Sequence, residues 1–219
     1  YPGGTGAGHN SWVGTALGAR EFVAAGTRNG STLPFVFVMP EMQVSPTLDT
    51  ECADLPGQPK VGTFLTVDVR QMVLDNFRVS PDRVAWGAAG TSSGAYCAMR
   101  VVYNHPDEYG AVASMDGYFS IDTPLPGKND PAVRAGDPEV IAAAHPPAVS
   151  VLLWSGTTGH DLAQARHFLT QVRPPTNAQL RDLPGAQHLT TDMARMVPDV
   201  FTYLSQRLAP PAPIAGTRP

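Results

Sequence analysis

Charge and long apolar runs are both scarce in this chain of 219 residues, and each scarcity excludes a class of protein. Charged residues make up only 16% of the sequence and the net charge is −4, so the chain lacks the basic surface that nucleic-acid binding requires. No apolar run approaches the roughly 18 residues that indicate a transmembrane helix. The sequence therefore predicts a globular protein with no nucleic-acid partner and no membrane span in this chain.

Motifs for metal and dinucleotide binding are also missing. The chain has no HExxH, no CxxC and no clustered carboxylates along the sequence, so we expect no metal mechanism and no cofactor. The glycine-rich start over residues 1–11, YPGGTGAGHNS, does not have the G-x-G-x-x-G spacing of a dinucleotide fingerprint.

Cysteine occurs only twice, at Cys52 in a polar loop and at Cys97 on a predicted helix. A disulfide between them would stabilise the fold by roughly 4 kcal/mol in the chain-entropy model. It would also imply an oxidising compartment. The alternative is two unpaired thiols, one of them buried.

The clearest functional pattern lies between Arg83 and Arg100. Val84–Ala89 is a short apolar run typical of a buried strand, and residues 95–103 have helical spacing. Between them, GTSSG over residues 90–94 has the form G-x-S-x-G, which in a strand–turn–helix context is a nucleophile elbow. The pattern predicts that Ser92 is a nucleophile. The alternative is a plain αβ loop rich in glycine and serine.

Strands and helices alternate along the chain. We expect helices over residues 13–25, 63–77, 95–103, 161–172 and 190–208, and strands over residues 33–40, 84–89, 110–115, 148–154 and 179–183. This alternation predicts an α/β fold, a mostly parallel sheet with helices on both faces. Residues 41–62 and 116–147 are predicted as long loops, the second an insertion or lid over the sheet edge. One domain over residues 1–208 and a proline-rich tail over 209–219 complete the predicted organisation.

The base and the acid are predicted from chain order, because an elbow serine is followed by its acid and then by a late histidine. His188 lies on the loop between the last strand and the last helix; a capping or surface histidine is the alternative. Asp161 is the acid in the segment after the penultimate strand, although an aspartate at a helix start is also a favoured N-cap. Asp116, which follows the predicted strand over residues 110–115, is the reserve candidate for the acid, and Asp182 is a weaker one.

With the order Ser92, Asp161, His188, the chain resembles the esterase branch of the α/β-hydrolases. This branch includes S-formylglutathione hydrolases, feruloyl esterases and the mycobacterial mycolyltransferases. The resemblance extends from Tyr1 to about Leu208 and is carried by the segments YPGG, PFVFVMP, TECAD, GTSSGAYCA, NHPDEYGAV and GAQHL. It implies a three-layer α/β-hydrolase fold and hydrolysis of a carboxylic ester by a Ser–His–Asp triad.

Further expectations follow from the resemblance, which is greatest to exported actinobacterial members. It implies a disulfide between Cys52 and Cys97, an extracytoplasmic location and an upstream membrane anchor. It also implies an oxyanion hole formed by the backbone N–H groups of Ser93 and Tyr1. In the family a strand ending in His-Gly precedes the YPG segment and lies beside the elbow strand. We therefore expect a sheet without its N-terminal strands, and either an upstream extension or another segment to fill the slot.

Three functions remain open at this point. The first is a serine esterase acting on a small-molecule, lipid or carbohydrate ester. The second is an acyltransferase that uses a sugar or lipid hydroxyl as acceptor, and the third is a non-catalytic cell-envelope module that keeps the hydrolase fold as a binding scaffold. The first two require the same serine, base and oxyanion hole, so the sequence does not separate them.

Overall fold

The computed structural model describes residues 10–43, 48–121 and 127–211. Their centre is a four-stranded parallel sheet in the order β1-β2-β3-β4. The strands are Gly87–Thr91 (β1), Ala111–Met115 (β2), Ser150–Gly156 (β3) and Asn177–Leu183 (β4). Every residue of β2 is buried, as expected for a central parallel strand covered on both faces.

Helices occupy the connections between the strands and both ends of the described chain. They are Asn10–Val13 (α1), Ala19–Asn29 (α2), Val61–Thr63 (α3), Val69–Asn76 (α4), Ser93–Asn104 (α5), Pro131–Ala135 (α6), Pro138–Ala144 (α7), Asp161–Gln171 (α8) and Thr190–Arg207 (α9). A π-helical segment, Phe64–Asp68, joins α3 to α4. The helices α5 and α8 pack on one face of the sheet, and α9 packs on the other.

Adjacent residues of the central strands belong to different cores, because successive strand side chains point to opposite faces. Leu153 joins a cluster with Val102 of α5 and Phe168 of α8. Its neighbour Leu152 joins a second cluster with Met196 of α9. The predicted three-layer α/β architecture is confirmed by these two cores on either side of one parallel sheet.

The first predicted helix, over residues 13–25, is displaced in the structure. Gly18 has a left-handed backbone with φ 64° and separates the short α1 from α2. The helix α2 then continues through Gly26 and ends at Gly30, which has φ 77° and serves as the C-cap. The prediction ended the helix just before Gly26, but this glycine lies within α2, where its missing side chain makes room for Thr32, which a Cβ would overlap.

The predicted strand over residues 33–40 forms no ladder with any other described segment. Its aromatic side chains still pack inward, since Phe35 and Phe37 each lie 5.5 Å from the Phe201 ring. A cavity of about 880 Å³ separates this segment from β1 and is lined by residues 34–40 on one side and 85–89 on the other. The cavity lies beside the elbow strand, at the position expected for the family strand that ends in His-Gly, and its occupation by such a strand stays a prediction.

The elbow strand begins later than predicted, because Arg83–Ala85 form a 3-10 turn and β1 starts at Gly87. The region 116–147 was predicted as a loop, but it contains α6 and α7. Asp137, fully buried between these helices, accepts hydrogen bonds from Arg100 of α5 and from the Tyr96 hydroxyl, and it pairs with Arg134. A buried charge is costly unless it is paired, so these hydrogen bonds and ion pairs of Asp137 hold α6 and α7 against α5.

The other predicted elements agree with the structure to within about three residues at each end. None of the described helices is long and apolar enough to cross a membrane. The helix α9 ends at Arg207, and the predicted division of the chain at residue 208 stays a prediction. Residues 212–219 of the predicted tail lie outside the described residues.

Candidate active site

Ser92 occupies the sharp turn between β1 and α5. Its backbone has φ 53° and ψ −123°, a conformation that L side chains rarely adopt. A hydrogen bond of 2.9 Å from the Ser92 N–H to the Met115 carbonyl fixes the turn against β2. The helix α5 begins at Ser93, so the serine stands at the N-terminal end of a helix, as in the predicted elbow.

Gly90 makes this turn possible. A Cβ on Gly90 would overlap the backbone carbonyl of Gly94, so strand and helix cross at a distance that only glycine allows. The overlapping atoms belong to the backbone and have no rotamer with which to move aside.

Gly90→Ala is therefore expected to destabilise the fold by about 3 kcal/mol, the upper end of the usual cost of overpacking. The measurement is urea denaturation, followed by circular dichroism. Gly87→Ala is the matched control on the same strand, because its Cβ would meet the tip of the Leu208 side chain at 2.9 Å and its nearest backbone neighbour, the Ala111 oxygen, only at 3.3 Å. Equal stability of the two variants would contradict the steric argument.

The structure brings Ser92, His188 and Asp161 together, although 96 residues separate the first two along the chain. His188 Nε2 lies 2.9 Å from Ser92 Oγ, and His188 Nδ1 lies 3.1 Å from Asp161 Oδ2. Asp161 is the first residue of α8, and the N-cap of that helix is His160. The Asp161 carboxylate is thus engaged with the imidazole rather than with the start of its own helix.

Solvent reaches the side chains of His188 and Asp161 unequally. The His188 side chain is 44% exposed and that of Asp161 is 17% exposed. The hydrogen bond to Asp161 raises the pKa of His188 above its ordinary value of 6.5, against the opposing effect of burial.

Contacts with the end of β3 hold the loop that carries His188. The Gly185 N–H donates to Thr157 Oγ1 at 2.8 Å, and the Thr158 N–H donates to the Ala186 carbonyl at 3.2 Å. Gly156 lets the two segments approach, because a Cβ there would stand 2.7 Å from the Ala186 oxygen. Thr157 and Thr158 were not predicted as site residues, and their only signal in the sequence is that they precede Asp161 in the segment after β3.

Asp116, the reserve candidate, lies at the carboxyl end of β2 and is 2% exposed. Its Oδ1 accepts a hydrogen bond of 2.8 Å from the Gly156 N–H. Burial, followed by the nearby charge of Asp161, raises its pKa, while the Gly156 N–H and His188 act in the opposite direction. One oxygen from each of Asp116 and Asp161 and one ring nitrogen of His188 lie within 4.8 Å of one another.

This spacing would also suit a cation, but both ring nitrogens of His188 already have partners in Ser92 and Asp161. The arrangement is therefore suited to proton transfer along Ser92, His188 and Asp161.

The remaining predicted residues are the two oxyanion-hole candidates, the weaker acid candidate and the two cysteines. Ser93 is the first residue of α5, directly after Ser92. Tyr1 lies outside the described residues. Asp182 is exposed on β4, and no described contact joins it to His188. Cys52 and Cys97 form the predicted disulfide, which ties the loop before α3 to the elbow helix.

The fold is shared with solved hydrolases. A ferulic acid esterase is 18% identical, with a TM-score of 0.75 over 91% of this chain and 80% of that one. An S-formylglutathione hydrolase from Agrobacterium tumefaciens is 14% identical, with a TM-score of 0.72 over 95% and 83%. MPT51 from Mycobacterium tuberculosis is 18% identical, with a TM-score of 0.66 over 91% and 84%. At these identities the likeness concerns the fold.

Sequence comparison gives the family. An uncharacterised protein of Corynebacterium glutamicum is 32% identical over 98 residues, a match that covers 43% of this chain and 22% of that protein. The matched stretch thus spans only about a fifth of the relative's length. The model of the family described as "Putative esterase" matches residues 11–189, most of the chain. The chain therefore belongs to this esterase family, within the α/β-hydrolase branch that its sequence predicted.

Proposed function

We propose that the protein is a carboxylic ester hydrolase that acts through a serine acyl-enzyme. The observation that carries this proposal is the unbroken line of hydrogen bonds, 2.9 Å from Ser92 Oγ to His188 Nε2 and 3.1 Å from His188 Nδ1 to Asp161. Membership of the esterase family agrees with this chemistry.

In the first half-reaction His188 Nε2 accepts the proton of the Ser92 hydroxyl while Oγ attacks the ester carbonyl carbon. The imidazolium that forms is stabilised by the Asp161 carboxylate at Nδ1, which also keeps the ring in the required tautomer. His188 then returns the proton to the departing alkoxide, which leaves as an alcohol. The acyl group stays on Ser92.

In the second half-reaction a water molecule gives a proton to His188 and attacks the acyl-enzyme carbonyl. Collapse of this tetrahedral intermediate returns the proton to Ser92 Oγ and releases the carboxylic acid. If a sugar or lipid hydroxyl replaces the water, the same steps give acyl transfer. Product analysis with an added alcohol distinguishes the two outcomes.

The oxyanion of each tetrahedral intermediate requires backbone donors. We assign one of them to the N–H of Ser93, because it follows the nucleophile and belongs to the first turn of α5, whose N–H groups point towards the helix start. The Tyr1 N–H remains the proposed second donor.

The proposed function is tested by labelling the protein with a fluorophosphonate and by hydrolysis of a p-nitrophenyl ester. We expect wild-type protein to take one label per chain and Ser92→Ala to take none. Intact-mass spectrometry measures the label directly. A folded wild-type protein that takes no label and turns over no ester would rule the proposal out.

The rate is expected to depend on pH through His188. The imidazole must be neutral to accept the serine proton, and its hydrogen bond to Asp161 raises its pKa. We therefore expect kcat/KM to fall on acidification, with an apparent pKa above 6.5, and to reach a plateau on the alkaline side. The pH profile of p-nitrophenyl acetate hydrolysis measures it; an acidic limb below 6.5 contradicts the prediction.

The disulfide supports an extracytoplasmic location as part of this proposal, because cytosolic thiols are generally kept reduced. Substrates of the small-molecule, lipid or carbohydrate ester class are consistent with the reaction.

A further inference from the structure

Four adjacent strands end at the candidate site, and each is followed by a residue of interest. Ser92 follows β1, Asp116 follows β2, Asp161 follows β3 and His188 follows β4. The proposed mechanism uses three of these residues and leaves Asp116 without a part. Because parallel strands bring their carboxyl ends to one edge, Asp116 lies between the elbow and the acid.

The geometry of Asp116 differs from that of a carboxylate held only for stability. The side chain is almost completely buried, with one oxygen bound to the Gly156 N–H, whereas Oδ2 has no hydrogen-bond partner within the described structure. By contrast, the buried Asp137 is surrounded by Arg100, Arg134 and Tyr96. A buried carboxylate oxygen without a partner is costly and calls for a compensating charge nearby.

The backbone at Asp116 is also constrained. Asp116 has φ 48°, in the left-handed region, and its N–H donates to the Trp154 carbonyl at 2.9 Å. Ser92, with φ 53°, is in a comparably rare conformation at the end of β1. Such conformations persist where the surrounding structure fixes a side chain in a particular place.

The charged groups that face Asp116 are Asp161 from the start of α8 and His188 from the loop after β4. From β3 the Gly156 N–H favours the anion through its hydrogen bond to Oδ1, whereas the neighbouring Ser155 hydroxyl donates to the Gly156 carbonyl. His188 is the sole cation-forming group among them. One oxygen from each carboxylate and one ring nitrogen of His188 lie within 4.8 Å of one another, close enough for a charge interaction.

We propose that Asp116 is a second positioning acid, which shares with Asp161 the counter-charge of the His188 imidazolium. This inference rests on the proposed function. Asp161 holds Nδ1 through a hydrogen bond, and Asp116 acts through space as a buried anion. Together they stabilise the charged ring that forms when Ser92 gives up its proton.

The test is Asp116→Asn, which keeps the side-chain shape and a carbonyl oxygen for the Gly156 N–H but removes the charge. Loss of a buried anion destabilises the imidazolium, so the pKa of His188 is expected to fall. The acidic limb of kcat/KM moves to lower pH by the same amount. Asp182→Asn removes the same charge from an exposed position on β4 and is expected to leave the limb in place.

Histidine NMR provides a readout that needs no turnover. The His188 ring signal is identified by its absence in His188→Gln, and its titration gives the pKa in wild type and in Asp116→Asn. A His188 pKa that is the same in both folded proteins overturns the proposal. If the pKa falls as expected but neither protein takes a fluorophosphonate, the charge interaction stands and the hydrolase function fails.

A second variant covers the case in which Asp116→Asn does not fold. Asp161→Asn removes the hydrogen-bonded acid and leaves Asp116 untouched. In this background Asp116 is the carboxylate that remains beside His188, so the further change His188→Gln is expected to raise the pKa of the Asp116 carboxyl, measured by 13C NMR, because its cationic partner is lost. An Asp116 pKa that is the same in folded Asp161→Asn and folded Asp161→Asn/His188→Gln overturns the proposal.

Discussion

Replacing either Ser92 or His188 by alanine is expected to lower kcat for ester hydrolysis by about 10⁶-fold, and replacing both is expected to lower it no further. The two side chains act as one unit through the hydrogen bond of 2.9 Å between His188 Nε2 and Ser92 Oγ. Without the imidazole the hydroxyl keeps its proton, and without the hydroxyl the imidazole has no nucleophile to activate. Single-turnover and steady-state kinetics on a p-nitrophenyl ester measure both variants and the double variant.

His167→Ala is the matched control for these substitutions. His167 lies 3.0 Å from the Glu139 carboxylate on the surface, which gives it a carboxylate partner similar to that of His188. It has no serine among its described contacts, so its loss is expected to leave kcat unchanged. Additive effects of Ser92→Ala and His188→Ala, each near 10³-fold, would mean that the two residues do not share one catalytic step.

Local chemistry made the elbow predictable. The glycines of G-x-S-x-G are required by close packing within the turn itself, independently of the rest of the fold. The structure shows this packing, because a Cβ on Gly90 would overlap the Gly94 carbonyl. His188 and Asp161 were predicted from chain order alone, since parallel strands bring their carboxyl ends to one edge whatever the loops contain. The distances between the three side chains depend on packing across the sheet and were not available from the sequence.

Other features depended on tertiary contacts and were missed. The segment 33–40 has the apolar composition of a strand, but a strand also needs a partner to accept its backbone hydrogen bonds, and none is present within the described residues. Helices α6 and α7 were hidden by the prolines around them, although Pro131 and Pro138 stand at the first helical position, where proline is favoured. The sequence identified Asp116 as a candidate acid but could not give it a role, because its contacts depend on the fold. One of its oxygens accepts a hydrogen bond from the Gly156 N–H, forty residues away.

Removal of the disulfide is expected to destabilise the protein by about 4 kcal/mol, because the cross-link closes a loop across 45 residues and restricts the unfolded chain. Cys97 is fully buried on α5, five residues after Ser92, and Cys52 is 3% exposed in the loop before α3. The double variant Cys52→Ala/Cys97→Ala removes the cross-link without leaving an unpaired thiol. Urea denaturation of this variant and of the wild type measures the difference in unfolding free energy.

The size of the loss in unfolding free energy distinguishes the contribution of the cross-link from that of side-chain packing. Two buried cysteines replaced by alanine lose little volume, so packing alone accounts for about 1–2 kcal/mol. Wild type treated with a reductant supplies the matched comparison, because it keeps both sulfur atoms and loses only the bond between them. If reduced wild type loses most of the unfolding free energy that the double variant loses, the unfolded-chain constraint is responsible. If reduction leaves the denaturation midpoint unchanged while the double variant is destabilised, packing is responsible and the chain-entropy explanation fails.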